Sequence, residues 1–205
     1  MMNENDESLE SELERCKKLI EEALEAALPV ENEDYSKLLE AMRYTLLNGG
    51  KRIRGIISLK FAQAVGATIQ DALGAACAIE LLHAYTLIHD DLPCMDDSDM
   101  RRGKPANHKK YGESTAMLAG DAMQAAAFEI LLKSDHQPEN LIKMTLTLAQ
   151  AAGHHGVCAG QYLDLDGVGK LLTADELIEI NRLKTTALIC AAAVMGVYAG
   201  GGSAS

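Results

Sequence analysis

Tryptophan is absent from this chain, and two phenylalanines and six tyrosines are its only aromatic residues. Sheets draw on aromatic and β-branched side chains, and no segment here alternates apolar and polar residues convincingly. Alanine and leucine abound instead, which favours helix. Positive charge is scarce: 19 Lys and Arg stand against 30 Asp and Glu, a net charge of −11. That balance argues against nucleic acid as a partner, because a phosphate backbone needs a basic face. It argues more weakly against an anionic membrane surface. The five cysteines include no CxxC pair, and their number is odd. With an acidic start, MMNENDESLESE, that is unlike a signal peptide, they point to a reducing cytoplasm. No GxxxxGK[ST] loop occurs, so a P-loop nucleotide site is excluded. The longest weakly polar run, Thr185–Gly202, lacks the leucine density of a membrane span. A core helix is expected there, with no stable membrane insertion.

What is present is helical periodicity over 205 residues, enough for one domain with a sizeable core. The pattern predicts helices over about Glu7–Leu28, stopped by Pro29, and about Tyr35–Leu47, closed by Asn48-Gly49-Gly50. A third covers Arg54–Val65. The fourth, about Ile69–His89, is apolar nearly all round and so should be central, with Pro93 breaking it. A polar connection, Asp96–Gly112, follows. Further helices are predicted over Ser114–Lys133, over Glu139–Leu165, and from Thr173 to Ala199, the last opened by a Thr-Ala-Asp-Glu capping box. No repeat or domain boundary is visible. The expectation is a single all-α domain of mostly antiparallel helices.

The central helix runs into LIHDDLPCMDDSDMRR, where Asp90, Asp91, Asp96, Asp97 and Asp99 precede Arg101 and Arg102. Carboxylates this close repel one another unless a cation intervenes. Negative charge at a helix C-terminus also opposes the macrodipole. Asp96 lies about 240° around from Asp90 on a continuous helix, but a bend at Pro93 could return it. Two such carboxylates can hold Mg²⁺ while water and phosphate oxygens fill its other positions. A calcium loop starting at Asp97 fails, because Arg102 and His108 stand where glycine and glutamate are required. Thr86 lies one turn below Asp90 and His83 two turns below, with Tyr85, Leu82 and Ile79 nearby. An apolar shaft beneath a metal-bound diphosphate suits a substrate with a charged head and a hydrocarbon tail. His83 alone proves little: a satisfied core histidine is the favoured reading of it.

A second signal is Asn48-Gly49-Gly50-Lys51-Arg52-Ile53-Arg54. Glycines allow close backbone approach, and three cations at a helix start favour an anion; the plain alternative is a solvated basic turn. Lys104, Lys109 and Lys110 extend the positive patch. Lys184 lies inside an apolar helix beside Thr185, where a lysine is costly unless it meets an anion. Gln161 and Asp164 share a helix face, as ligands or as a surface pair. His154 and His155 diverge by about 100° on a continuous helix, which makes joint metal ligation unfavoured.

GGKRIR, HAYTLIHDDLPCMDDSDMRRGKPANHKKYGE, LAGDAM, AGQYLDL and LKTTAL occur in an order and spacing that resemble the trans-isoprenyl diphosphate synthases, nearest the bacterial farnesyl diphosphate synthase group. The resemblance spans about residue 35 to the end. It implies an all-α isoprenoid synthase fold around a central cavity, usually as a homodimer. It further implies Mg²⁺-dependent head-to-tail condensation of isopentenyl diphosphate with an allylic diphosphate. By motif, Asp90 and Asp96 resemble the Mg²⁺ ligands, with Asp91 close by, and Arg101 the contact to the allylic diphosphate. Lys51, Arg54, His83 and Arg102 resemble the isopentenyl diphosphate site. Lys184 and Thr185 resemble the pair that touches the allylic substrate and steadies the developing cation, with Gln161 and Asp164 as a GQxxD element there. Tyr85 and Thr86 stand where the family limits chain growth, and the two extra residues in DDLPCMD match the short-product bacterial type. A fifteen-carbon farnesyl product is therefore expected, ahead of geranylgeranyl or geranyl.

Two departures stand out. Gly55 replaces the proline that usually ends the basic motif, which should loosen a helix start and little more. No second DDxxD follows Lys184-Thr185 before Ser205, so the expectation is a helical synthase domain without its C-terminal part. A non-catalytic binding or regulatory subunit is the competing class. A terpene cyclase is disfavoured, since a cyclase has no need of the isopentenyl site.

Overall fold

Helices make up nearly all the regular structure in the computed structural model, which describes residues 4–29 and 34–203. In chain order they are α1 (Glu4–Ala27), α2 (Ser36–Leu46), α3 (Ile53–Ala64), α4 (Leu73–Asp90), α5 (Asn107–Tyr111), α6 (Glu113–Leu132), α7 (Pro138–Ala152), α8 (Val157–Asp166), α9 (Ala174–Asn181) and α10 (Ala187–Ala199). A 3₁₀ turn over Gln70–Ala72 leads into α4. A π turn over Arg182–Thr186 joins α9 to α10. The predicted ends hold within one to three residues for α1 to α3 and α6, while α4 starts four residues after the predicted Ile69, past the 3₁₀ turn. Gly66, at φ 91°, closes α3 as a left-handed cap that only glycine adopts without strain. Thr173 caps α9 reciprocally with Glu176, the box read from the sequence.

The axis of the molecule is α4. Its apolar residues leave no solvent face, and α1, α2, α3, α6, α7 and α10 all pack on it. Ile79, Leu81, Leu82 and Ile88 are fully buried there. By length and composition alone, three stretches could cross a bilayer: Gln70–Asp90, Glu113–Leu132 and Ala174–Ala199. In the fold, 72% of the apolar window of the first is buried against its neighbours.

One buried charge interrupts this apolar helix. Glu80 accepts the backbone N–H of Gly55 at 2.9 Å, and Arg52 lies 3.7 Å from its other oxygen. Arg52, in the left-handed region at φ 50°, also donates to the Leu46 carbonyl at 2.6 Å and to Glu21 at 3.2 Å. These contacts correct two expectations. Arg52 points into the core rather than to an anion. Gly55 does more than loosen a helix start: its N–H, which proline lacks, satisfies Glu80, and a Cβ there would lie 2.8 Å from Ile20 Cδ1.

Two further expectations fail. The helix predicted over Glu139–Leu165 is two, because Gly153 and Gly156 leave helical geometry; a Cβ on Gly156 would lie 2.0 Å from the Ala151 carbonyl. His154 and His155 therefore sit in a turn, with ring centroids 4.0 Å apart, rather than diverging on a helix. The connection after Pro93 is also not featureless. Met100–Arg101 and Lys104–Pro105 form a two-residue antiparallel pair, and α5 follows. Arg102 and Gly103, both at positive φ, make its turn, as a tight hairpin demands.

Candidate active site

The end of α4 builds the acidic half of the site. Past Asp90 the chain folds back through Leu92–Met95, and the N–H of Asp96 donates to the Asp90 carbonyl at 2.9 Å. The bend at Pro93 thus returns Asp96 to Asp90, as the sequence suggested. Asp90 is partly buried, and burial pushes its carboxyl up to about 6; Asp96 and Asp91 add to the rise, while Lys184 and Arg101 oppose it. A carboxylate so disfavoured is one that a bound cation would relieve.

Asp91 behaves differently from the metal-ligand grouping expected for it. Its side chain is buried and takes Arg101 in a forked ion pair, with Nε 3.1 Å from both carboxylate oxygens and Nη2 also bonded. The two motifs are thereby tied together, and Asp91 acts as the anchor of Arg101. Among the described residues, no group of three or more His, Cys, Asp or Glu side chains is arranged as a metal cage. Asp90 and Asp96 still fit Mg²⁺, which typically takes one or two carboxylates and completes its shell with phosphate and water.

Beneath Asp90 lies an apolar cavity of about 310 Å³. Tyr85, Thr86 and His89 line it from α4, and Val157, Cys158, Gln161, Tyr162 and Leu165 from α8, with Met95 at its rim. Both residues singled out for chain length therefore face it. Thr86 donates to the His83 carbonyl at 2.7 Å, and Tyr85 is 4% exposed. Gln161 is 6% exposed, and neither its amide oxygen nor its amide nitrogen has a hydrogen-bond partner among the described residues. A buried amide left unpaired is costly, so this one is poised for a ligand.

The π turn supplies Lys184, whose ammonium bonds Asp164. This turn and α8 cross so closely that a Cβ on Gly160 would lie 2.2 Å from the Lys184 nitrogen. Gly160, in the AGQYLDL motif, thus lets Gln161 and Lys184 share one site. π turns inside helices recur at functional sites. Thr185 follows and is exposed.

The basic half gathers on the other motif. Arg54 Nε is buried without a partner among the described residues. Burial lowers the Arg54 pKa, with Glu80 opposing and Arg102 adding. Arg102 reaches the Gly49 carbonyl, and Gly50 admits its guanidinium, which would lie 2.9 Å from a Cβ. His83 is pushed down to about 3, first by burial and then by Arg54, Arg102, Arg52 and Arg101. His83 therefore sits among cations and is held neutral. Lys51 is exposed nearby in sequence and lines a neighbouring cavity of about 510 Å³ with Glu10, Lys17 and Ile53. The wider patch does not form. Lys109 pairs with Asp99 at 2.7 Å, and Lys110 covers the Tyr44 ring at 4.0 Å.

Sequence reasoning missed His89, Cys158 and Tyr162 as lining residues and Glu80 as the partner of Arg52. A lone carboxylate in an apolar helix was the available signal for Glu80.

Comparison with known proteins gives a consistent picture. The family described as polyprenyl synthetase matches residues 35–205. A heterodimeric geranylgeranyl pyrophosphate synthase large subunit from Arabidopsis thaliana is 44% identical over 192 residues, covering 90% of this chain and 51% of that protein. A farnesyl diphosphate synthase from Geobacillus stearothermophilus is 42% identical over 200 residues, covering 96% and 67%. The apo crystal structure of an FPP/GFPP synthase from Zymomonas mobilis superposes with a TM-score of 0.91 at 35% identity, covering 96% of this chain and 72% of that one. The chain spans about half the length of the plant relative.

Proposed function

This chain belongs to the polyprenyl synthetase family and has the isoprenoid synthase fold, and on that footing we propose that it carries the substrate sites for joining isopentenyl diphosphate to an allylic diphosphate. The observation that carries this reading is the pairing of two ionic sites of opposite character, one at the end of α4 and one where α3 and the turn at Arg102 meet it. Asp90 lines an apolar cavity with Asp96 folded back beside it, while Arg54, His83 and Arg102 form a cationic cluster in which the Arg54 Nε is buried without a partner among the described residues. Two diphosphates, one with a tail to bury, match that pair.

In this reading Asp90 and Asp96 hold Mg²⁺, which would neutralise charge on the leaving diphosphate. Arg101, steadied by Asp91, and Lys184 bind that diphosphate through charge-assisted hydrogen bonds. Gln161 and Thr185 present dipoles toward the allylic carbon as its C–O bond breaks and positive charge develops. Lys51, Arg54 and Arg102 hold isopentenyl diphosphate so that its double bond attacks that carbon. Neutral His83 packs against them without adding repulsion. The proton lost in closing the reaction passes to the departing diphosphate, so no side-chain base is required.

Tyr85 and Thr86 set the floor. Tyr85 lies five residues before Asp90, about 7.5 Å along the helix, and its ring cannot be compressed without the usual cost of overpacking. We take the product to have fifteen carbons, because Tyr85 and Thr86 stand where the resembling family limits chain growth. The similarity to a plant geranylgeranyl pyrophosphate synthase subunit favours a twenty-carbon product as the second reading. A symmetric dimer and a cytoplasmic setting complete the proposal.

The test is to incubate these 205 residues, and a longer polypeptide with a second aspartate-rich helix, with dimethylallyl or geranyl diphosphate, isopentenyl diphosphate and Mg²⁺. The longer form should yield fifteen-carbon diphosphate by chromatography. Absence of any condensation product from it would overturn the enzymatic reading in favour of a non-catalytic subunit.

A further inference from the structure

The LAGDAM segment lies in α6, and through Gly120 it packs on His89, a residue that lines the cavity. Gly120 faces His89 so closely that a Cβ there would lie 2.1 Å from Nε2 and 2.4 Å from Cδ2. No other residue leaves that notch. Within it, His89 Nε2 lies 3.0 Å from the Met117 carbonyl. A carbonyl only accepts, so Nε2 carries the proton and donates. Asp121 Oδ1 stands 3.9 Å from the same nitrogen. The imidazole is thus pinned to the α6 backbone.

The other side of His89 faces Tyr85. Their rings meet edge to face, with centroids 5.6 Å apart at 79°. Among the described residues the Tyr85 hydroxyl has only Cys158 Sγ, at 3.7 Å, as a hydrogen-bond partner, and sulfur is a weak one. Tyr85 is therefore held by packing more than by its hydroxyl, and His89 is the pinned element it packs on. Both side chains line the cavity.

We propose that Gly120 and His89 are positioning residues for the cavity floor: the Gly120 notch fixes His89, His89 fixes the Tyr85 ring, and so α6 sets the length of prenyl chain that the cavity accepts. This rests on the reading that the cavity takes a prenyl tail. It extends the floor beyond Tyr85 and Thr86 to a second helix, α6, and it gives LAGDAM a role.

The test uses unreactive thiolodiphosphate analogues of fifteen- and twenty-carbon prenyl diphosphates, titrated with Mg²⁺ into the 205-residue chain and its variants, with thermal melts alongside. The wild-type chain should prefer the fifteen-carbon analogue. His89→Ala should raise the twenty-to-fifteen affinity ratio by about tenfold or more, the effect of burying even two further methylenes. Gly120→Ala should move the ratio too and lower Tm, because its methyl displaces the imidazole. In the His89→Ala background the same methyl enters vacated space, so Gly120→Ala should cost much less Tm there, a non-additivity expected only of residues in contact. A merely structural role would shift Tm and leave the ratio alone. If Tyr85→Ala moves the ratio while His89→Ala and Gly120→Ala do not, the relay is wrong and the functional reading stands. If the wild-type chain binds neither analogue, the functional reading fails and takes this inference with it.

Discussion

Replacing Arg54 by methionine should separate binding from stability, because the structure makes the two respond in opposite directions. Arg54 Nε is buried without a partner among the described residues, and its guanidinium shares space with Arg102 and His83. In the unliganded protein burial is the largest influence and disfavours its charge, Arg102 repels it, and Glu80 only partly offsets them. Methionine keeps an unbranched apolar stem and removes the charge. Folding stability should therefore hold or rise in Arg54→Met. Binding should fall: a lost hydrogen bond to a charged group costs about 1.5–3 kcal/mol, or roughly one to two decades in affinity. The loss should fall on isopentenyl diphosphate and spare the allylic substrate, which the proposed function assigns to Asp90 and Arg101. With Arg54 gone, the His83 pKa should rise from about 3 yet stay below the ordinary histidine value, since burial, the largest cause, and three other arginines still depress it. Calorimetry with isopentenyl diphosphate and with an unreactive allylic analogue, a melting curve and an imidazole NMR titration check all three. Equal weakening of both ligands, or a clear fall in Tm, would refute the separate assignment of the basic pocket.

Further predictions concern the acidic half, the floor and the core. Asp90 carries a carboxyl raised to about 6, so protons compete with Mg²⁺ below that pH: affinity should be flat above about pH 7 and fall by about tenfold per unit well below 6, and calorimetry showing a midpoint near 4 would contradict the burial argument. Tyr85→Ala in the longer polypeptide should open the floor and lengthen products toward twenty carbons; a chromatographic profile unchanged by both Tyr85→Ala and Thr86→Ala would remove the floor from this helix. Arg52→Met leaves Glu80 buried with its charge unpaired, which should cost about 3–5 kcal/mol in urea unfolding, and a loss below about 1 kcal/mol would mean that the pair is not structural. These 205 residues alone should bind substrates yet turn over slowly, for want of a second aspartate-rich cluster on the leaving diphosphate; a rate matching that of the longer polypeptide would dismiss that requirement.

Local rules made much of the fold legible. An apolar run without a polar face had to be central, and α4 is. Asn48-Gly49-Gly50 and Gly66 stop helices because they sit at positive φ or beside it. Thr173 and Glu176 cap α9 because their spacing lets each reach the other's backbone. The turn at Pro93 returned Asp96 to Asp90. What was not legible depends on partners distant in sequence. Asp91 and Asp90 are neighbours of one type, and only Arg101 folding back tells the anchor from the metal-facing carboxylate. Arg52 and Arg54 look alike in a basic run, yet a left-handed φ turns Arg52 inward onto Glu80. The Gly153–Gly156 break was hidden because periodicity resumes on both sides of it. The role of Gly120 appears only when α6 is laid against α4.

The most direct measurement of the central claim is calorimetric titration of an unreactive allylic diphosphate analogue into these 205 residues, with and without Mg²⁺, in the wild-type and Asp90→Ala proteins. The account predicts tight binding to the wild type that requires Mg²⁺, and loss of the Mg²⁺-dependent component in Asp90→Ala. Affinity that ignores Mg²⁺, or that Asp90→Ala leaves unchanged, would contradict it.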